Sequence, residues 1–381
     1  VEKMNKILGL AVLGFLLACA GTLRKASEAR VKEPCSVGCA PALSQTLPDT
    51  SFPLETASAR KIPTSSPTLA GKGGEHPATI AKNENFSSPS SHPPTAASPV
   101  KTHRHEVGEL AQVPYVKRTE EVARFQSLMQ YAQAEKLHDR PMSEILQALA
   151  EQLLGAQYTP GLLDKSNTET LVVSLTQFDC VLFVETVLAM ARGVAVRDYS
   201  YESFVSRIVD QRYRNGKLNG YCSRLHYFSD WIFENEKRGT VANITRTLGG
   251  VPLNKKLNFM SQHKGSYPQF ASDDATYQCI VGAEARLDGL KLYYIPQSQI
   301  RRAYAQLQPG DIVAIATEIE GLDVTHTGLV YRSPNGSIGL IHASPSGAVK
   351  ISPDLETYVG KVESSTGILL ARPADPRPLN P

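Results

Sequence analysis

The sequence predicts an α+β fold, because helical periodicity fills the first part of the folded region and strand texture fills the second. Apolar residues recur at helical spacing over 120–136 (Val122, Phe125, Leu128, Met129) and 143–154 (Ile145, Leu146, Leu149, Leu153, Leu154). Pro141 separates the two stretches, and Ser143 is placed as the cap of the second. A β-favouring run (Leu171, Val172, Val173, Leu175) then passes into a third helix. Asp179 is its expected N-cap, Cys180 its first residue and Gly193 its stop. Further helices are expected over 201–212 and 225–237. From Val281 onward the pattern turns to strands, over 290–295, 311–316, 326–331, 338–342, 349–351 and 367–370. The turn Ser333-Pro334-Asn335-Gly336 joins two of them as a hairpin, which makes the sheet antiparallel. There is no internal repeat.

The remainder of the 381 residues divides in two. Lys3 and Lys6 precede an apolar run from Ile7 to Ala18, too short to cross a bilayer, so residues 1–19 read as a signal peptide with Met4 as the expected start. Leu16-Leu17-Ala18-Cys19 reads as a bacterial lipoprotein processing site that leaves Cys19 lipidated. An ordinary secretory signal cleaved near Ala20 is the alternative. Ala20 after the cysteine points to onward transport, so the expected address is the outer membrane, facing the periplasm. Residues 20–108 carry ten of the 25 prolines between Pro41 and Pro99, with dense Ser and Thr and no apolar period. Such a segment cannot bury enough surface to offset chain entropy and is expected to be a disordered tether. Residues 109–375 form the expected folded domain. A net charge of +3, without a basic stripe interleaved with aromatics, argues against nucleic acid as a partner.

At a helix start, a thiol meets unpaired backbone amides and the positive end of the helix dipole, which favour a thiolate. A buried, inert cysteine is the plainer alternative for Cys180. Downstream, Asp323-Val324-Thr325-His326-Thr327-Gly328 and Ile341-His342-Ala343-Ser344 put His326 and His342 on adjacent strands of one hairpin. Nucleophile, base and orienter is the layout of thiol acyl transfer, with Cys180, His326 and His342 in those roles. No cofactor is implied. His226, His263, His326 and His342 could supply nitrogen to zinc, but no HExxH-type spacing accompanies them and no metal ligand is assigned. Arg224, His226, Tyr227 and Trp231 form an aromatic and basic cluster suited to a sugar face and a carboxylate; alternatively Tyr227, Phe228 and Trp231 are the buried side of a helix. Cys35 and Cys39 could close a small disulfide loop, and Cys222 and Cys279 could be free or bridged.

Asp179-Cys180 opening a helix, Pro309-Gly310-Asp311-Ile312-Val313, His326-Thr327-Gly328 and Ile341-His342-Ala343-Ser344 together resemble the NlpC-type cell-wall cysteine hydrolases of the papain-like superfamily. Phe178-Asp179-Cys180 with Phe183-Val184-Glu185, the segment from Ser223 to Trp231, Asn258-Phe259-Met260-Ser261-Gln262-His263, and Leu322-Asp323-Val324-Thr325-His326 are similar to the N-acetylmuramoyl-L-alanine amidase-like branch. Val181 and Leu182 follow the cysteine where that branch commonly has Thr. The resemblance covers about residues 115–373. It implies a papain-like core in which an antiparallel sheet packs on the nucleophile helix, with extra N-terminal and inserted helices. It also implies hydrolysis of the amide between the N-acetylmuramic acid lactyl group and L-alanine in peptidoglycan fragments (muropeptides). Arg224, His226, Tyr227 and Asp323 are then the expected substrate-binding residues, with His263 similarly placed. The alternatives are a stem-peptide endopeptidase cutting the D-glutamyl–diamino acid bond, a zinc amidase, or a non-catalytic wall-binding lipoprotein.

Overall fold

The computed structural model describes residues 115–378. The signal peptide with Cys19, the tether over 20–108, and Cys35 and Cys39 lie outside the described residues. Six helices of ten residues or more order this part: α1 (Thr119–Ala134), α2 (Met142–Glu151), α3 (Cys180–Ala195), α4 (Tyr201–Arg212), α5 (Phe228–Lys237) and α6 (Asp274–Leu287). The strands are β1 (Gln157–Tyr158), β2 (Gln177–Phe178), β3 (Val241–Asn243), β4 (Val251–Pro252), β5 (Tyr293–Pro296), β6 (Ile312–Thr317), β7 (Val324–Arg332), β8 (Ile338–Ala343), β9 (Val349–Ser352) and β10 (Ser365–Pro373). Strands β1 and β2 form a small parallel pair. The main sheet runs β4-β5-β10-β6-β7-β8-β9, with β3 also on β10, and every pairing in it is antiparallel. The expected α+β class with an antiparallel sheet is therefore what the chain adopts.

Both faces of the sheet centre are covered, which is why β6 and β8 are buried along their whole length. Alternation divides them. Ile312, Ala314 and Ala316 of β6 join Leu329 and Ile341 in the core shared with the helices. Val313 and Ile315 join Val330 and Leu340 on the opposite side, under Leu355 and Val359 of a short helix (Leu355–Val359). The helix-side core includes Leu182, Phe183, Val187 and Leu188 of α3, so the Cys180 helix lies directly on the sheet. A third apolar cluster, with Tyr221, Tyr227, Phe259, Phe270 and Ile280, forms an inserted region built mainly from residues 221–292. Cys222 and Cys279 are bridged, with Cα atoms 6.1 Å apart, and tie α6 to the turn Tyr221–Ser223.

Four expectations need correction. Pro141, not Ser143, precedes α2, and no side chain caps that helix. Gly193 does not end α3, which continues to Ala195. Its missing side chain admits a close approach instead, since a Cβ there would lie 2.8 Å from the Asp198 carbonyl oxygen and 2.9 Å from Arg207 Nη1. The run from Leu171 to Leu175 is not a strand. The buried Glu121 carboxylate accepts from the Leu175 amide and the Ser174 and Thr176 hydroxyls, so this segment is pinned to a side chain rather than to a neighbouring strand. Residues 281–287 belong to α6 rather than to a β region. Asp273 caps that helix, accepting from the amides of Ala275 and Thr276.

Candidate active site

Strand β2 delivers the chain to α3 with Phe178 fully buried, and Asp179 turns it. Asp179 has extended backbone angles (φ −92°, ψ −179°), and its Oδ1 accepts the Leu182 amide at 2.8 Å. The helix therefore begins at Cys180 as the sequence predicts, and the thiol sits at the positive end of 16 aligned residues. Cys180 is 8% exposed. It shares a cavity of about 130 Å³ with His326 and Thr327 of β7, with Tyr158 and Asp179, and with Arg224, Leu225, His226 and Asp323.

The sheet supplies the imidazoles. A bulge shifts the β6–β7 register between Ile315 and Ala316, opposite His326, and re-aims the strand where the histidine leaves it. His326 is 3% exposed and His342 fully buried. His326 Nε2 and His342 Nδ1 are 2.7 Å apart, with the rings edge to face at 84°. On its other side His342 Nε2 lies 3.2 Å from Ser352 Oγ, and Tyr358 packs 4.5 Å away between ring centres. Burial, then the neighbouring His326 and Lys350, depress His342 to about 2, so it is neutral at ordinary pH. Burial, then the adjacent Cys180, push the Asp179 carboxyl up to about 7.

The cavity wall modifies the sequence expectations for substrate contacts. Arg224 and Asp323 line the cavity, but their charges are already partnered within the protein. Arg224 Nη2 donates to Asp164 Oδ1 at 2.5 Å and Nη1 to the Leu163 carbonyl at 3.0 Å. Burial works against its charge, yet Asp164 and Glu169 outweigh that and hold its pKa above the ordinary value. Asp323 Oδ2 accepts from the amide and hydroxyl of Ser229, both at 2.7 Å, which fastens the start of α5 to β7. Tyr227 does not line the cavity: its hydroxyl donates to Glu284 at 2.7 Å inside the inserted region. Trp231 is 1% exposed, stacked on Phe228, with its indole N–H on Glu185. The aromatic stripe is thus the buried side of a helix, the alternative the sequence left open. His263 stacks on Phe259 and donates to that residue's carbonyl, away from the cavity. His226 does reach the cavity. Its Nε2 donates to the Tyr221 carbonyl at 2.9 Å, leaving Nδ1 as an acceptor, and burial followed by Arg224 lowers it to about 3.

Sequence reasoning missed the buried pair of Glu185 and Arg212, 2.7 Å apart, which also lines the cavity. It also missed Ser352, because β9 runs one residue beyond the expected 349–351. Among the described residues, no group of three or more His, Cys, Asp or Glu side chains is arranged to hold a metal ion.

A helix-start thiol beside a hydrogen-bonded imidazole pair, on an antiparallel α+β scaffold, defines a candidate acyl-transfer site. Residues 148–368 match the AmiA-like family, described as N-acetylmuramoyl-L-alanine amidase-like, and the chain belongs to that family. A solved N-acetylmuramoyl-L-alanine amidase from Bacteroides uniformis ATCC 8492 is 28% identical, with a TM-score of 0.57 over 61% of this chain and 99% of that one. A structure called a putative xylanase, from Bacteroides fragilis, is 30% identical, with a TM-score of 0.52 over 58% of this chain and 98% of that one. A Legionella pneumophila protein, 22% identical at a TM-score of 0.50 over 68% of this chain and 97% of that one, shares the fold alone. No curated protein matches.

Proposed function

We propose that the protein is a cysteine amidase with an NlpC-type, papain-like core that cleaves the N-acetylmuramoyl-L-alanine amide of muropeptides. The observation that carries this reading is the 2.7 Å contact between His326 and His342 at the cavity that also holds Cys180. Membership of an amidase-like family supports an amide of peptidoglycan as the target.

In this mechanism His326 takes the Cys180 proton and the sulfur attacks the lactyl carbonyl carbon. The tetrahedral oxyanion forms at the N-terminus of α3, where the helix dipole favours it. It collapses with transfer of the proton from His326 to the departing nitrogen of L-alanine, leaving a thioester on Cys180. Water then adds to the thioester as His326 takes its proton. Collapse expels the thiolate, which is reprotonated, and frees the lactyl carboxylate. His342 orients His326 throughout. His226, with an acceptor nitrogen at the cavity, is assigned the substrate contact first expected of the whole cluster.

Glycoside hydrolysis, the chemistry suggested by the name of the Bacteroides fragilis structure, needs two available carboxylates. Here Glu185 is held by Arg212 and Trp231, Asp164 by Arg224, and Asp323 by Ser229. Export is proposed as well, with lipidation at Cys19. The Cys222–Cys279 bridge supports an oxidising compartment.

Cys180→Ala is expected to abolish turnover of a defined muropeptide while leaving the circular dichroism spectrum unchanged. Mass analysis of the wild-type digest should show the free stem peptide and the intact sugar. Products cut between D-glutamate and the diamino acid would make the protein an endopeptidase. Activity lost to a chelator and restored by zinc would overturn the cysteine mechanism.

A further inference from the structure

His326 Nε2 lies against a neutral histidine, His342, whose own hydrogen bonds decide which nitrogen of each ring carries the proton. A neutral imidazole carries one N–H and one lone pair, on different nitrogens. Both nitrogens of His342 are engaged: Nδ1 with His326 Nε2 at 2.7 Å, and Nε2 with Ser352 Oγ at 3.2 Å. Two proton arrangements satisfy these contacts. In one, His342 holds its proton on Nδ1 and donates to His326, whose own proton must then sit on Nδ1. In the other, His342 holds its proton on Nε2, donates to Ser352, and accepts from His326 Nε2–H. Only the second leaves a lone pair on His326 Nδ1 for the proton of Cys180.

We propose that Ser352 is a positioning residue for catalysis: in the arrangement that leaves His326 a base toward Cys180, its hydroxyl accepts from His342 Nε2 and holds both histidines in that tautomer. This rests on the reading of Cys180 as nucleophile and His326 as base. Ser352 is 9% exposed and stands at the end of β9, opposite Leu340, so β9 holds the hydroxyl at a fixed distance from the His342 ring. Other groups also face the pair. Tyr358 comes from the short helix, with its hydroxyl 3.4 Å from His342 Nδ1. Lys350 lies on β9, paired with His342, and Asp179 and Cys180 come from α3. None of these puts a carboxylate against His342 Nε2, the position at which Ser352 acts.

The test is nitrogen NMR on protein labelled at histidine, with His342 assigned by its loss in His342→Gln. In wild type, His342 should be the Nε2–H tautomer. Ser352→Ala should raise the Nδ1–H fraction of His342 and lower kcat about tenfold or more with KM unchanged. Ser352→Thr, which restores the hydroxyl, should recover both. The rate of Cys180 alkylation against pH should follow the same order, whichever amide the enzyme cuts. A wild-type His342 in the Nδ1–H form, or Ser352→Ala with wild-type kcat and alkylation profile, would overturn the proposal. So would a loss of kcat that Ser352→Thr does not rescue. Failure of the underlying reading looks different: Cys180→Ala would stay active, or His326→Ala would leave the alkylation profile unchanged, whatever Ser352 does.

Discussion

Replacing Arg224 with alanine is expected to destabilise the fold before it touches catalysis. The guanidinium makes a charged hydrogen bond to Asp164 at 2.5 Å and a bond to the Leu163 carbonyl at 3.0 Å, and lies 4.8 Å over the Tyr221 ring. A charged hydrogen bond contributes about 1.5–3 kcal/mol and a neutral one about 1 kcal/mol. Stranding buried carboxylates adds to this, and breaking a buried pair costs about 3–5 kcal/mol in all. Glu169 limits the damage: burial already pushes its carboxyl up, Arg224 is the main force opposing that, and without Arg224 it can take up a proton. Urea unfolding of Arg224→Ala should therefore show a loss near 3–5 kcal/mol. Asp164→Asn in the Arg224→Ala background should recover part of it, because the stranded charge is gone, with a coupling of about 2 kcal/mol in the double-mutant cycle. A single mutant within about 1 kcal/mol of wild type, or effects that add to within about 0.5 kcal/mol, would refute the argument and return Arg224 to the substrate.

Gly328→Ala should act on activity more than on stability, because the new methyl would lie 2.9 Å from His342 Cβ and push that ring off His326. A displacement approaching 1 Å in such a site costs about 10²-fold in kcat, which steady-state kinetics beside an unfolding curve will separate from misfolding. His342 should also leave a signature in acid. Its folded value of about 2 lies below the ordinary 6.5, so its contribution is complete above pH 6.5 and is lost as pH falls, because the unfolded chain binds a proton the fold refuses. Urea unfolding between pH 6 and 4 should show wild type losing about 1.4 kcal/mol per pH unit more than His342→Gln. Equal slopes would mean that His342 is not held neutral in the fold.

The parts of the site that could be read from the sequence are those set by local rules. Asp179 as a cap puts Cys180 at a helix start whatever surrounds it, and a short turn between two apolar runs makes His326 and His342 neighbours. Long-range partners could not be read. Whether Arg224 faces a substrate or the protein's own Asp164 depends on a residue 60 positions away. Trp231 belongs to a helix whose outward face the sequence could not choose, and Glu185 decides it by accepting the indole N–H. Helix α6 was hidden for a related reason. Its buried stripe, Ile280, Ala283, Glu284 and Leu287, has helical spacing, but Glu284 interrupts it as an apolar signal. That glutamate is buried because it holds the Tyr227 hydroxyl and the Ser261 amide.

The same internal pairing shapes the field at the thiol. Glu185, Asp164 and Asp323 are each bound by donors of the protein itself, while the Asp179 carboxylate stands next to the thiol and interacts with it directly. An ionised Asp179 would oppose a thiolate one residue away, and the effect is reciprocal: Cys180 is the second cause, after burial, that drives the Asp179 carboxyl up to about 7. Near neutral pH the Asp179 carboxyl is therefore present both protonated and ionised. Under the proposed mechanism, a proton on Asp179 removes the charge that would oppose a thiolate, so the residue that caps the helix also bears on the reactivity proposed for Cys180.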